Sequence, residues 1–473
     1  MKKKTLYPFV FCIIANTLVY LYFIGTTQEV RHWFLVPNYI TGSLLIYMSI
    51  ASYFESKYKF FAVKFIVFVF SFYFFTIVPL LTIKWNYFIS NVMQPNDWNT
   101  WIGLLSVMNL IGIIIFILIQ KLNIFNFKFK SWNINYKKFY IFSGLILVFS
   151  FLVQTYYYVS LGGISSYINL YSDRGNNEAF DDAGLIFTLT EAFPIVLGTL
   201  VIIHMKRKNY EPKWIWLVLF LIVIFIIRMY FGGLRGSRSN TIWAIFWITG
   251  LIHFWIRPIN LKVITLGTVL LILFMNIYSV YKIHGSDFYE IFIENDERVV
   301  VLNENSTGFE TIFLQDFGRT DTQSYLLYKN FKDENFNKAS GETYLGTLTL
   351  FIPDKIDFMN FDRKARFGTD ALYGNGSYEN GLTSSKVYGL YGEAILNFGM
   401  IVGLLSFVFW GVTVNYINKL QHGIERYDAR MIIIPLLLIT SILMLINDSD
   451  NILFFLIKNG LIPFLLIFLS KKE

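Results

Sequence analysis

The chain reads as an all-α polytopic membrane protein with about twelve transmembrane helices, both termini on the cytoplasmic side, and one large extracytoplasmic loop domain. Three observations predict this. Of its 473 residues, 55% are hydrophobic and only 15% charged, with 49 Phe and 30 Tyr, too apolar a balance for a water-soluble fold. The apolar runs are long and unbroken rather than alternating, so the spans are helices that pair their own backbone groups, not barrel strands. With the amino terminus inside, roughly 21 Lys and Arg fall on cytoplasmic segments and roughly 5 on short outer loops, as the positive-inside rule requires.

The first run, Leu6 to Ile24, follows Met1-Lys2-Lys3-Lys4 in the manner of a signal peptide. No small-residue cleavage site follows it, so it reads as an uncleaved first span. Further spans are expected at Phe34 to Phe54, Phe60 to Ile83, Thr100 to Ile119, Phe139 to Val159 and Leu185 to His204. After these come Trp214 to Tyr230, Thr241 to Ile256, Val263 to Tyr281, Val387 to Tyr416, Met431 to Ile446 and Ile452 to Leu469. Spans one to nine thus occupy 1–281, the loop domain 282–386, and spans ten to twelve 387–473.

The formal charge of +8 sits in clusters between apolar runs, such as Lys206-Arg207-Lys208 and the stretch from Lys121 to Lys138. These are topology anchors at lipid head groups, and a nucleic-acid partner is excluded. The single cysteine, Cys12, lies within the first run, so neither a disulfide framework nor a thiolate metal site can be built.

About 105 residues separate the ninth and tenth spans, too long for a plain connection. Within them Phe309, Ile312, Phe313 and Phe317 recur at helical spacing and predict an amphipathic helix, with a second piece from Glu342 to Phe351. The Gly, Asn, Ser and Tyr content of Gly368 to Ser385 favours a mobile or ligand-covering loop.

A charge at the centre of a span costs about 2.5 to 3.5 kcal/mol on insertion scales, so each needs a reason. Glu191, Arg228, Glu393 and Lys458 all fall in the outer half of their spans, which suggests a chamber open to the outside. A structural ion pair, for instance Glu191 with Lys458, is the competing account.

The densest feature is Phe231-Gly232-Gly233-Leu234-Arg235-Gly236-Ser237-Arg238-Ser239-Asn240, directly before the eighth span. Its glycines admit a ligand close to the backbone, Ser237 or Ser239 can cap the incoming helix, and that helix offers its positive dipole end. Arg235 and Arg238 add two planar forks suited to phosphate or carboxylate oxygens. Arg174, in Tyr171-Ser172-Asp173-Arg174-Gly175-Asn176, and Arg319, in Asp316-Phe317-Gly318-Arg319-Thr320-Asp321, occupy two more outer segments. A diphosphate-bearing lipid would need such arginines on one side of the membrane.

Metal chemistry has little to stand on: Asp448-Ser449-Asp450 and Asp181-Asp182 lack a His at ligand spacing. His284, at the foot of the loop domain, is the candidate catalytic histidine by position; His32 lies in a short outer loop, and His204, His253 and His422 face inside. There is no G-x-S-x-G elbow and no phosphate-binding loop.

Together, the outer segment Arg235-Gly236-Ser237-Arg238, the late loop with Phe317-Gly318-Arg319, and the stretch Ser384-Ser385-Lys386-Val387-Tyr388-Gly389-Leu390-Tyr391-Gly392-Glu393-Ala394 running into Asn397-Phe398-Gly399 give a pattern that resembles the bacterial O-antigen polymerases, or oligosaccharide repeat unit polymerases. The likeness covers nearly the whole chain in topology and implies a GT-C-like membrane glycosyltransferase of the bacterial plasma membrane. It implies undecaprenyl-diphosphate-linked oligosaccharides as donor and acceptor, with the growing glycan moved to the nonreducing end of an incoming repeat unit on the outer face. By the same likeness no nucleotide sugar, cofactor or metal is expected, and a chain-length regulator and a flippase are the expected protein partners, alongside membrane lipids. On this reading Glu393, Arg319 and His284 are the catalytic candidates, and Arg235, Arg238, Arg174, Arg228 and Ser237 hold the diphosphate. Glu393 is the candidate base, since burial raises its proton affinity and Gly389 and Gly392 leave room for sugar. Some members show an outer-loop Arg followed at fixed spacing by Gly; here Gly184 falls one place too near Arg174. An O-antigen ligase and a lipid-linked oligosaccharide flippase are the alternatives.

Overall fold

The computed structural model describes residues 3–122, 124–125, 129–172, 184–235, 238–284, 309–334, 336–350 and 361–472. Each of the twelve apolar runs forms helix. The first five are α1 (Lys3–Thr26), α2 (Leu35–Glu55), α3 (Val63–Lys84), α4 (Trp98–Lys121) and α5 (Tyr136–Ser160). A short α6 (Ile164–Ser172) follows, and the sixth run is divided into α7 (Gly184–Glu191) and α8 (Phe193–Arg207). Then come α9 (Trp214–Tyr230), α10 (Arg238–Leu251, continued by a π-helical turn to Ile256) and α11 (Leu261–His284). The later part holds α12 (Thr320–Lys332), α13 (Glu342–Leu348), α14 (Lys364–Tyr373), α15 (Gly389–Gly403), α16 (Leu405–Gly423), α17 (Ile434–Ile446) and α18 (Ser449–Leu469). Among the described residues there is no strand, only an isolated bridge between Ile134 and Lys471. Seven of the described helices are long and apolar enough to cross a membrane, eight if α15 and α16 count as one broken span. The chain is an all-α, polytopic, membrane-embedded protein.

The chain divides into two compact units, each assembled from separated stretches. The first takes Met1–Phe127, Glu310–Lys419 and Thr440–Phe454; the second takes Lys128–Phe309, Leu420–Ile439 and Phe455–Glu473. In the first unit α2 packs on α1, α3 and α4. A π-helical turn at Tyr73–Ile77 breaks the regular ladder of α3, and the buried Asn38 of α2 donates to the Phe75 carbonyl at 3.0 Å, supplying a partner that lipid could not. In the second unit α5 turns Leu145, Val148, Phe149, Leu152 and Tyr156 outward, an apolar face that only hydrocarbon solvates without cost.

Two expectations change. The tenth run, expected to be one span, is the pair α15 and α16 bent by 103°. The cause lies inside α15, where Gly399 leaves helical geometry with φ 80° and ψ 178°. The carbonyls of Leu396 and Asn397 instead accept the N–H groups of Ala339 and Ser340, at 3.1 Å each, and the Asn397 side chain accepts from Gly341. A polar stretch from the long loop region thus completes the broken helix, which hydropathy averaging cannot register.

The loop region is also more built than its composition suggests. The 309–317 helix is a short turn, Phe309–Thr311, followed by a π-helical turn at Ile312–Asp316, and α13 is the piece expected from Glu342. Residues 285–308 and 351–360 lie outside the described residues. The stretch from Gly368 to Ser385 is tied down by hydrogen bonds: Asp370 accepts from the Tyr378 amide and Thr369 Oγ1 from the Ser384 amide, both at 2.9 Å. Least expected is α12, polar in sequence yet buried from Thr320 to Leu327, packed on α4 and α15.

Gly389 opens α15 with φ +72°, and a β-carbon there would lie 2.3 Å from the Leu445 carbonyl oxygen. Gly389→Ala adds left-handed strain to a backbone clash and should cost about 3 kcal/mol. The check is the melting midpoint of the detergent-solubilised protein, expected to fall by several degrees; an unchanged midpoint contradicts this packing.

Candidate functional site

In the first unit a buried polar cluster forms where α12, α13, α15 and the start of α18 meet. Glu393, on α15, places Oε1 within 2.9 Å of Thr343 Oγ1 and 2.7 Å of Ser449 Oγ, while Oε2 accepts the Ser449 backbone N–H at 2.7 Å. Asp448, just before α18, accepts the Tyr388 and Gly389 N–H groups on Oδ1 at 2.9 and 2.8 Å and meets Lys364 Nζ on Oδ2 at 3.0 Å. The first amides of a helix have no partner within it and carry its positive dipole end, so a carboxylate is favoured there. Asp448 therefore caps α15, and Glu393, carried by α15, meets the first amide of α18. Lys364 also donates to the Lys386 carbonyl at 2.9 Å, and Asn397 joins Thr343 Oγ1 at 2.7 Å.

Arg319 belongs to the same cluster. It immediately precedes α12, donates from Nη1 to the Gln315 and Gly318 carbonyls, and faces the charges of Asp448, Asp321 and Asp316. Gln323, one turn on, donates to the Tyr388 carbonyl at 2.9 Å, fixing α12 to the start of α15. Glu393 and Arg319, separated in sequence, are thus brought into one polar interior through Asp448. Glu393 presents no open face, since both its oxygens are already occupied.

A cleft of about 240 Å³ opens where α12 ends and α13 and α14 begin. Its walls include Lys329, Lys338, Glu342, Arg366 and Asp370, with the rings of Phe336 and Phe367. Lys329 pairs with Asp333, and Arg366 with Asp362 and with Glu379, the last at 2.8 Å. The kink at Gly399 makes room for one wall: a β-carbon there would come within 3.1 Å of Lys338 Nζ.

The second unit holds the other residues singled out in the sequence. Glu191, Arg228 and Lys458 form a buried trio, exposed by 1%, 0% and 3%. Arg228 Nη2 meets Glu191 Oε2 at 2.6 Å, its Nη1 donates to the Glu191 carbonyl at 2.9 Å, and Lys458 Nζ lies 2.8 Å from Glu191 Oε1. The ion pair weighed for Glu191 and Lys458 is formed, and Arg228, read as a diphosphate contact, spends its fork on the same carboxylate. The space that Gly232 leaves is filled in the same way: a β-carbon there would meet Glu191 Cδ at 2.7 Å. Tyr278 and Tyr281 of α11 donate to the carbonyls of Gly233 and Leu234, holding the glycine turn from its other side.

Arg238 is the half-buried first residue of α10, and Arg235 ends a 3-10 turn over Gly233–Arg235. The side chains of Arg235 and His284, and all of Arg174, Ser237, Asp181 and Asp182, lie outside the described residues. No family model, curated protein or solved structure matches the chain.

Asp321, Lys364, Thr343 and Ser449 were not singled out in the sequence. Asp448-Ser449 directly before an apolar run has the form of a helix N-terminal cap, and the polar run from Thr320 to Ser324 is the signal that a loop helix would need buried partners.

Arg228 satisfies Glu191 Oε2 and the Glu191 carbonyl, and breaking a buried ion pair costs about 3–5 kcal/mol. Arg228→Ala should accordingly lower the melting midpoint of the purified protein more than Arg366→Ala, whose ion pairs are part-exposed and worth at most about 1 kcal/mol. Equal losses would contradict the structural role of the trio.

Proposed function

We propose that this chain is a polymerase of undecaprenyl-diphosphate-linked oligosaccharide repeat units, acting at the outer face of a bacterial plasma membrane. On this reading the twelve helical runs are twelve spans with both ends in the cytoplasm, and the region between α11 and α15 faces outward. The observation that carries it is the cleft between α12, α13 and α14. It combines cations, carboxylates and amide groups with two aromatic rings, the mixture that receives sugar hydroxyls at its polar walls and sugar C–H faces on its rings. A membrane-embedded chain with such a cleft suits a substrate whose tail lies in lipid and whose head is a glycan. Arg235, Arg238 and Arg174 are the proposed contacts to the diphosphate, which needs preorganised positive charge as the bond to it breaks. His284 remains a catalytic candidate by position.

The test is reconstitution in proteoliposomes with lipid-diphosphate-linked repeat units, reading the product ladder on a gel. Wild-type protein should convert single repeats to a ladder. Lys338→Ala combined with Glu342→Gln should lower the rate at limiting substrate by about tenfold, or about 1.4 kcal/mol of binding to the transition state. In a deletion strain, single repeats still attached to their final acceptor accord with a polymerase. Loss of all attached glycan would instead identify a ligase, and accumulation of lipid-linked repeats in inverted vesicles only when the protein is present a flippase.

A further inference from the structure

Asp321 and Arg319 stand out from every other ionisable group in the polar interior of the first unit. Asp321 is 5% exposed and Arg319 8%. The Oδ1 oxygen of Asp321 accepts the Thr322 amide at 2.7 Å and its hydroxyl at 3.1 Å, yet among the described residues nothing bonds to Oδ2. Arg319 is satisfied at Nη1 by two carbonyls, and among the described residues nothing accepts from its Nε–H. A buried acceptor left without a donor costs about 1–3 kcal/mol, more for a charged group, so such a pair in one turn calls for a reason. Glu393 offers the contrast, with three donors on its two oxygens.

The local backbone points the same way. The π-helical turn at Ile312–Asp316 leads directly into Gly318 and Arg319, and such turns gather at functional sites. Asp321 Oδ2 is free to take the proton of a hydroxyl group and the Arg319 Nε–H to donate to a hydroxyl oxygen, and the guanidinium charge acts on the carboxylate. Lys329, in the cleft wall, lies eight residues further along α12, about 12 Å at the helical rise, within reach of a short oligosaccharide.

We infer that Asp321 is the proton acceptor for the attacking sugar hydroxyl, with the Arg319 Nε–H holding that hydroxyl's oxygen. This rests on the glycosyl-transfer reading above and names its acid–base residue. The hydroxyl oxygen forms a bond to the anomeric carbon of the lipid-linked donor as its proton passes to Asp321 Oδ2. The bond from that carbon to the diphosphate oxygen breaks with its electron pair leaving on the diphosphate, so charge and atoms balance.

Burial pushes the Asp321 carboxyl above its ordinary range, against the opposing charges of Lys386 and Arg319, and its own charge helps raise the Tyr87 hydroxyl. A raised carboxyl makes a better base at neutral pH and predicts a rate that climbs with pH until the group is ionised. Removing the positive charge of Lys386 disfavours the ionised form, so Lys386→Met should move that climb to higher pH.

The experiment uses the full-length protein in proteoliposomes with lipid-diphosphate-linked repeat units, and follows turnover from pH 5 to 8. Asp321→Asn should lower turnover at least about 100-fold, flatten the climb, and leave the melting midpoint unchanged or higher, since it removes a buried charge. Asp321→Asn activity within about threefold of an active wild type overturns the assignment. So does a Lys386→Met profile that coincides with the wild type, which keeps the test decisive should Asp321→Asn not fold. A wild type that makes no polymer overturns instead the reading on which the assignment rests.

Discussion

Two carboxylates exchange helix ends in the first unit, and the polar interior is arranged around that exchange. Asp448, reached only after α17, takes the first amides of α15; Glu393, one turn into α15, takes the first amide of α18. Each helix start satisfied in this way would otherwise lie buried with free N–H groups, which hydrocarbon cannot solvate. Because one helix supplies the cap of the other, their separation and orientation are fixed together. Lys364 from α14 and Thr343 from α13 attach the loop helices to the same two carboxylates. The exchange thus sets where α12 can enter and where Arg319 and Asp321 come to rest.

The apolar part of this architecture was legible because lipid imposes a simple rule. Twelve runs were readable as helices and each is helical, though the tenth is two helices bent apart and runs on to Gly423. What the rule does not cover was not legible. Hydropathy averages over Asn397-Phe398-Gly399, so it could not show that the carbonyls of Leu396 and Asn397 turn to Ala339 and Ser340. It also assigns Thr320 to Ser324 to water, because the partners that allow them to be buried, such as the Tyr388 carbonyl for Gln323, lie far away in sequence.

The candidate site was legible in its residue types more than in their roles. Charged residues inside apolar runs were marked as needing reasons, and for Arg228 and Lys458 the structure gives one: both meet the single carboxylate of Glu191. Glu393 was marked for chemistry, yet its surroundings give it two helices to hold. A sequence lists which groups can ionise; only coordinates tell which oxygen still lacks a donor, and that is how Asp321 emerges.

The trio in the second unit bears on how the chain is made. Glu191 and Arg228 leave the ribosome early and together carry no net charge, so they can enter the membrane as a neutral pair. Lys458 emerges only after some two hundred further residues, and its ammonium meets the Glu191 Oε1 oxygen, the one Arg228 leaves open. The trio is therefore complete only once α18 has packed beside α7 and α9, which makes this buried contact one of the last that the growing chain can close.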